Sequence, residues 1–262
     1  MSKKKSFVLV SLIAALGFWA TNWLATWFAS QIFWLNGLVL AFFVLLLLYF
    51  LFRKQFSSWK DFLPVAILPC FLSVSFSWFS PLLSASIVWQ LVFSVAFLGS
   101  FYLILLTENL FVVSSRFKAV PLYRTAFVTG FAFSLLIGLL LFNAILSLEF
   151  PAWVNTVFIS LMSFFLYFHI FWTVNIVESE KKNFVVYALV GALLNGQLAL
   201  VISFWPLSTM LKALYLVSWL YVLGGVFQAE LRGRLFNRIL KEYLFIGGAA
   251  LFALFFSGGW LI

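Results

Sequence analysis

One histidine and two side-chain amides are the groups of this chain best suited to chemistry in an apolar setting. His169 is the sole histidine, and Asn195 and Gln197 stand two apart in a long uncharged stretch. Polar and ionisable groups at membrane depth mark ion paths, relays and substrate sites. His169 falls toward the inner part of an apolar stretch at 152–177, whereas Asn195 and Gln197 fall near the middle of the next, at 184–204. At 1.5 Å per residue their depths differ by roughly 10 Å, so they form no direct relay. Two readings follow. Either His169, Asn195 and Gln197 line a shared polar cavity, or each makes an interhelical hydrogen bond worth roughly 0.6–2 kcal/mol. Gly196 lies between the amides and Gly191 one turn before them. They suit an unwound, substrate-binding turn of the kind transporters use, or close helix packing.

Other chemistry is poorly supplied. The sequence holds no phosphate-binding glycine loop, no His/Glu zinc pattern and no Cys-X-X-Cys, and its single cysteine, Cys70, lies in an apolar stretch. No cofactor or metal is expected. Glu108 and Asn109 at a membrane edge suit a cation, a lipid headgroup or a plain helix cap.

The elements that must position these groups are apolar spans. Hydrophobic residues make up 65% of the 262 and charged residues 9%, against about 25% charged in soluble domains. Mean hydropathy is +1.15. Stretches at about 7–28, 35–52, 62–79, 85–107, 125–147, 152–177, 184–204, 209–229 and 243–262 each match a hydrocarbon thickness of about 30 Å. Lys3, Lys4 and Lys5 resemble the start of a secretory signal, but the apolar run behind them exceeds a signal core, so an uncleaved first span is expected. The predicted fold is all-α: a polytopic transmembrane bundle of about nine spans forming a single integral membrane domain over 1–262.

Charge orients the bundle. Fifteen of the sixteen lysines and arginines fall at residues 3–5, 53–60, 116–124, 181–182 and 232–241, at alternate breaks between spans; Lys212 is the exception. Basic residues are retained on the cytoplasmic side. The N-terminus is therefore expected in the cytoplasm and the C-terminus outside. Tryptophans gather near predicted span ends, as interfacial residues do. The formal charge of +9 is assigned to anionic headgroups at the cytoplasmic face of the bilayer, and no nucleic acid is expected as a partner.

Two inner segments stand out as contact surfaces for lipid or for other membrane subunits. Residues 108–124, with Arg116, Lys118 and Arg124, read as too polar to span and too apolar for a free loop. Residues 230–242 carry Arg232, Arg234, Arg238 and Lys241 around a stripe of Leu231, Leu235 and Ile239, with Glu230–Arg234 and Arg238–Glu242 spaced as helical pairs. That pattern predicts a short helix lying on the inner leaflet, or a segment that only enforces topology. Elsewhere, Ser73, Ser77 and Ser80 are expected to bond back to helix carbonyls. Trp19, Trp23 and Trp27 make an aromatic ridge suited to a lipid, a polyisoprenoid chain or another subunit, and read first as ordinary packing. Gly130, Ser134 and Gly138 give a small-residue face suited to close approach inside the bundle or in an oligomer.

The stretch TENLFVVSSRFKAVPLYRTA from Thr107 to Ala126, with VSWLYVLGGVFQ and RGRLFNRILKEYLFIG near the C-terminus, resembles uncharacterised multi-pass integral membrane proteins of small-genome bacteria. That resemblance implies a bacterial inner-membrane setting and carries no catalytic residue onto this chain. The sequence is read as a non-enzymatic scaffold or subunit of a cell-envelope assembly. The alternative is a small transporter or lipid-handling permease built on His169, Asn195 and Gln197.

Overall fold

The computed structural model describes residues 3–27, 33–53, 55, 59–83, 87–114, 122–176 and 183–257. Among them nine α-helices follow one another: α1 Lys3–Trp27, α2 Phe33–Phe52, α3 Trp59–Phe79, α4 Ile87–Ser114, α5 Tyr123–Leu146, α6 Ala152–Asn175, α7 Phe184–Ser203, α8 Thr209–Leu231 and α9 Asn237–Ser257. The all-α bundle expected from the sequence is what forms. A helix satisfies its own backbone hydrogen bonds, which is what a chain surrounded by hydrocarbon requires.

Helices α1 to α8 each contain an apolar stretch long enough to cross a bilayer. Helix α9 opens with Arg238, Lys241 and Glu242 and becomes apolar from Tyr243 to Ser257. The outward faces are large and greasy: Phe42, Phe50, Val95, Phe245 and Phe252 are all more than 60% exposed. Such surface has no place in water, and hydrocarbon is its natural solvent. The molecule is a multi-pass membrane protein.

The chain divides into two compact units, residues 1–133 and 134–262, with the division falling inside α5. In the first unit α1 to α4 pack in the cyclic order α1, α2, α3, α4 and back to α1, with a smaller contact across the ring between α1 and α3. Helix α3 is the enclosed one: 78% of its span is buried, against 22–50% for the other seven spans. Phe18 of α1, Phe76 of α3 and Phe93 and Phe97 of α4 stack there, with centroid distances of 4.7 Å for Phe18–Phe97 and 4.5 Å for Phe76–Phe93. Helix α3 runs unbroken through Pro64 and Pro69. Two of the three serines behave as expected: the Ser73 hydroxyl donates to the Pro69 carbonyl at 2.9 Å, and Ser80, in the 3₁₀ turn Ser80–Leu82 that follows the helix, to the Ser77 carbonyl at 3.1 Å, whereas the Ser77 hydroxyl is buried with no hydrogen-bond partner among the described residues. One turn beyond this stack, the Asn22 amide oxygen accepts from Asn36 Nδ2 and from Ser80 Oγ, each at 3.2 Å. That one oxygen joins α1, α2 and the 3₁₀ turn after α3.

In the second unit α6, α7 and α8 pack pairwise, with α9 laid on α8. The small-residue face of α5 is used inside the chain's own packing. A side chain at Gly130 would meet Phe111 of α4 at 3.3 Å, and one at Gly138 would meet Leu220 of α8 at 3.0 Å. The tryptophan ridge of α1 differs from its reading as ordinary packing: Trp19 and Trp23 are each 54% exposed, while the Trp27 side chain lies outside the described residues.

Candidate functional site

Helix α7 presents Ala188, Gly191, Ala192, Asn195, Gly196 and Ala199 on its buried face. Small residues at helical spacing let another backbone come close, the main source of cohesion between helices in lipid. Helix α6 takes that position. A Cβ at Gly191 would lie 3.0 Å from the Tyr167 ring, and one at Gly196 would overlap the Ser160 hydroxyl. Between these two contacts Asn195 Nδ2 donates to Ser163 Oγ at 2.8 Å, with both residues fully buried. The contacts follow an antiparallel register: as numbering falls on α6 from Tyr167 to Ser163 to Ser160, it rises on α7 from Gly191 to Asn195 to Gly196. Helix α7 is continuous from Phe184 to Ser203, with no unwound turn at the glycines.

The three predicted polar residues end up apart. Asn195 is in the α6–α7 seam, and His169 is buried on α6 with its ring 6.0 Å from that of Trp172. His169 lies six residues beyond Ser163, about 9 Å along the axis. Gln197 is exposed, because two residues on a helix turn the side chain through about 200° from Asn195. Ser160, Ser163 and Tyr167, which complete the seam, were missed. Their signal was spacing that matches the small residues of α7 when the two helices are laid antiparallel.

The inner segments also differ from expectation. Residues 108–114 belong to α4, which continues past the expected end at 107 as far as Ser114. Phe97, Phe101, Ile104, Leu105, Glu108, Phe111 and Val112 form one buried stripe, so Glu108 is fully enclosed by the fold. The helical periodicity of ENLFVVS was the available signal, and its charge obscured it. Arg116 and Lys118 lie outside the described residues, and Arg124 is exposed in the first turn of α5.

Residues 230–242 do not form a single surface helix, one of the two readings of that segment. Helix α8 ends at Leu231, and Gly233 adopts φ +64°. The Gly233 amide donates to the Glu230 carbonyl at 3.0 Å and the Arg234 amide to the Ala229 carbonyl at 2.9 Å. Those two bonds make a Schellman cap, for which glycine in the left-handed region is the usual residue. The expected stripe is thereby split: Leu231 is buried at the end of α8, Leu235 lies exposed in the turn and Ile239 is on α9. Of the two expected pairs, Arg238 Nε to Glu242 Oε1 forms at 3.2 Å on α9, whereas Arg234 lies off the helix. The charge exception also has a structural role: Lys212 Nζ donates to the Ser203 carbonyl at 3.5 Å, a cation on the C-terminal carbonyls of α7.

No curated protein and no solved structure matches the chain. One family does, over residues 12–257, which takes in nearly all of both units. The resemblance of the Thr107–Ala126 and C-terminal stretches to uncharacterised multi-pass proteins agrees with it: the chain belongs to the family described as proteins of unknown function, DUF5656.

Proposed function

We propose that the protein is a non-enzymatic integral membrane scaffold or subunit of a cell-envelope assembly, held in the bacterial inner membrane with its N-terminus in the cytoplasm and its C-terminus outside. One observation carries this reading: the polar and small residues of α6 and α7 that a permeation path needs are engaged in holding the two helices together. Asn195 is bonded to Ser163, Tyr167 and Ser160 occupy the glycine faces, and Gln197 points away from them. The orientation rests on the basic clusters, which alternate along the chain as the positive-inside rule requires. The one outlier, Lys212, has a local partner at the end of α7.

The surfaces left for neighbours are the exposed ridge of Trp19 and Trp23 on α1, the aromatic face of Phe245, Phe252 and Phe256 on α9, and the basic turn from Arg232 to Lys241. Photocrosslinkable residues at Trp19 or Phe252, introduced in cells, are expected to give discrete adducts with envelope proteins. Alanine at Arg232, Arg234, Arg238 and Lys241 together is expected to remove a subset of the cytoplasmic adducts. Adducts with lipid alone at all positions, with topology intact, would defeat the scaffold assignment.

A further inference from the structure

We propose that the first two turns of α9 form a site for one anionic phospholipid. Arg238 and Lys241 hold the headgroup phosphate there, and Phe245 lies against the upper acyl chains. The site rests on the cytoplasmic placement of the basic turn proposed above. A groove of about 540 Å³ is lined by Arg238, Lys241, Glu242 and Phe245, at positions i, i+3, i+4 and i+7 of one helical face. A second groove of about 310 Å³, on α1, repeats that spacing with Lys5, Val8, Leu9 and Leu12. In both, a cation begins the face and an apolar side chain ends it.

The dimensions suit a phospholipid. Seven residues advance about 10 Å along the helix. The headgroup region is about 5–7 Å deep per leaflet. A cation at phosphate level therefore sets Phe245, 78% exposed, among the first methylenes of the chains. Glu242 is the one group of the wrong sign, and its geometry makes it an orienting group. It accepts from Arg238 Nε at 3.2 Å, a bond on the Nε edge of the guanidinium that does not use the edge between the two terminal amino groups, whose paired N–H donors fit phosphate oxygens. Lys241 adds a second, mobile donor. Arg232 and Arg234 in the preceding turn raise the positive potential that draws an anionic headgroup.

The probe is the purified full chain in phosphatidylcholine nanodiscs with and without phosphatidylglycerol, with retained lipid read by native mass spectrometry. The wild type is expected to retain phosphatidylglycerol in preference to phosphatidylcholine. Lys241→Gln and Arg238→Gln should each lower that preference roughly fivefold. Phe245→Ala should weaken retention of both lipids, and Lys212→Gln, on α8 with its ammonium engaged on the Ser203 carbonyl, should leave the preference intact. Far-UV circular dichroism confirms that each variant folds. Equal retention of the two lipids by the wild type, or an unchanged preference in the Arg238→Gln/Lys241→Gln variant, would overturn the site. Crosslinking separates the two assignments. Envelope adducts without lipid preference sink the lipid site alone, whereas lipid preference without adducts sinks the scaffold alone.

Discussion

Leucine in place of Gly196 should force α6 and α7 apart. Even the first added carbon, Cβ, would overlap Ser160 Oγ and lie 3.1 Å from Ser160 Cβ and 3.4 Å from the Thr156 carbonyl oxygen. The Ser160 hydroxyl can rotate away, but its Cβ and the Thr156 carbonyl are fixed by the helix. Three further carbons have nowhere to go within the seam. Overpacking of this kind costs about 1–3 kcal/mol where a site can still adjust. Separation of the helices also forfeits the Asn195–Ser163 bond, worth about 0.6–2 kcal/mol in a membrane. Against these stands a gain of up to about 1 kcal/mol from removing a glycine in mid-helix. The net expectation is a destabilisation of about 2–3 kcal/mol. Gly99 on α4 supplies the matched control, because a Cβ there meets nothing within 4 Å. Gly99→Leu keeps the propensity gain without the clash and should be neutral or mildly stabilising. The assay is unfolding of the purified protein in mixed micelles by added dodecyl sulfate, followed by loss of helical circular dichroism. Equal midpoint shifts for the two variants would refute the closed seam, and a path between α6 and α7 would return as the better account of Asn195.

Two more expectations use the same assay. Asn22→Leu removes an acceptor shared by Asn36 and Ser80 and should cost about 0.6–2 kcal/mol, because the Asn36 amide loses its interhelical bond while the single Ser80 hydroxyl proton keeps the Ser77 carbonyl at 3.1 Å. Gly233→Ala places a Cβ at φ +64° and should cost about 1 kcal/mol, with Gly233→Asn costing less because asparagine tolerates that conformation. If alanine and asparagine there are both neutral, the Schellman cap does not hold the turn between α8 and α9.

How much of this was legible beforehand varied with the kind of signal. Span positions could be read because a bilayer demands a long apolar run, and eight such runs reappear as α1 to α8. Errors arose where charge and helix coincide. The ends of α4 and α9 were set where the charges begin, yet α4 carries Glu108 inside its buried stripe, and α9 starts at Asn237, within the basic segment. Polarity alone does not mark a boundary, because a helix continues as long as one of its faces still has packing to satisfy. The candidate site was legible as residue types and not as partners. Asn195 stood out as an amide among apolar residues. Ser163 and Tyr167 did not, since a serine or a tyrosine on a membrane helix is common enough to pass unremarked.

From sequence alone came the residence of the chain in a membrane, its all-helical class, the approximate places where it crosses and the alternation of basic clusters. These follow from composition and linear pattern, because hydrocarbon selects on length and charge one segment at a time. Only the tertiary structure decided that Asn195 faces Ser163 while Gln197 faces outward, that Tyr167 and Ser160 close over Gly191 and Gly196, and that Gly233 breaks the basic segment so that Arg238 and Lys241 share a face with Phe245. Each of those depends on which helix lies against which and in what register. That is set by complementary side-chain volumes on two elements at once, and no single stretch of sequence contains both halves.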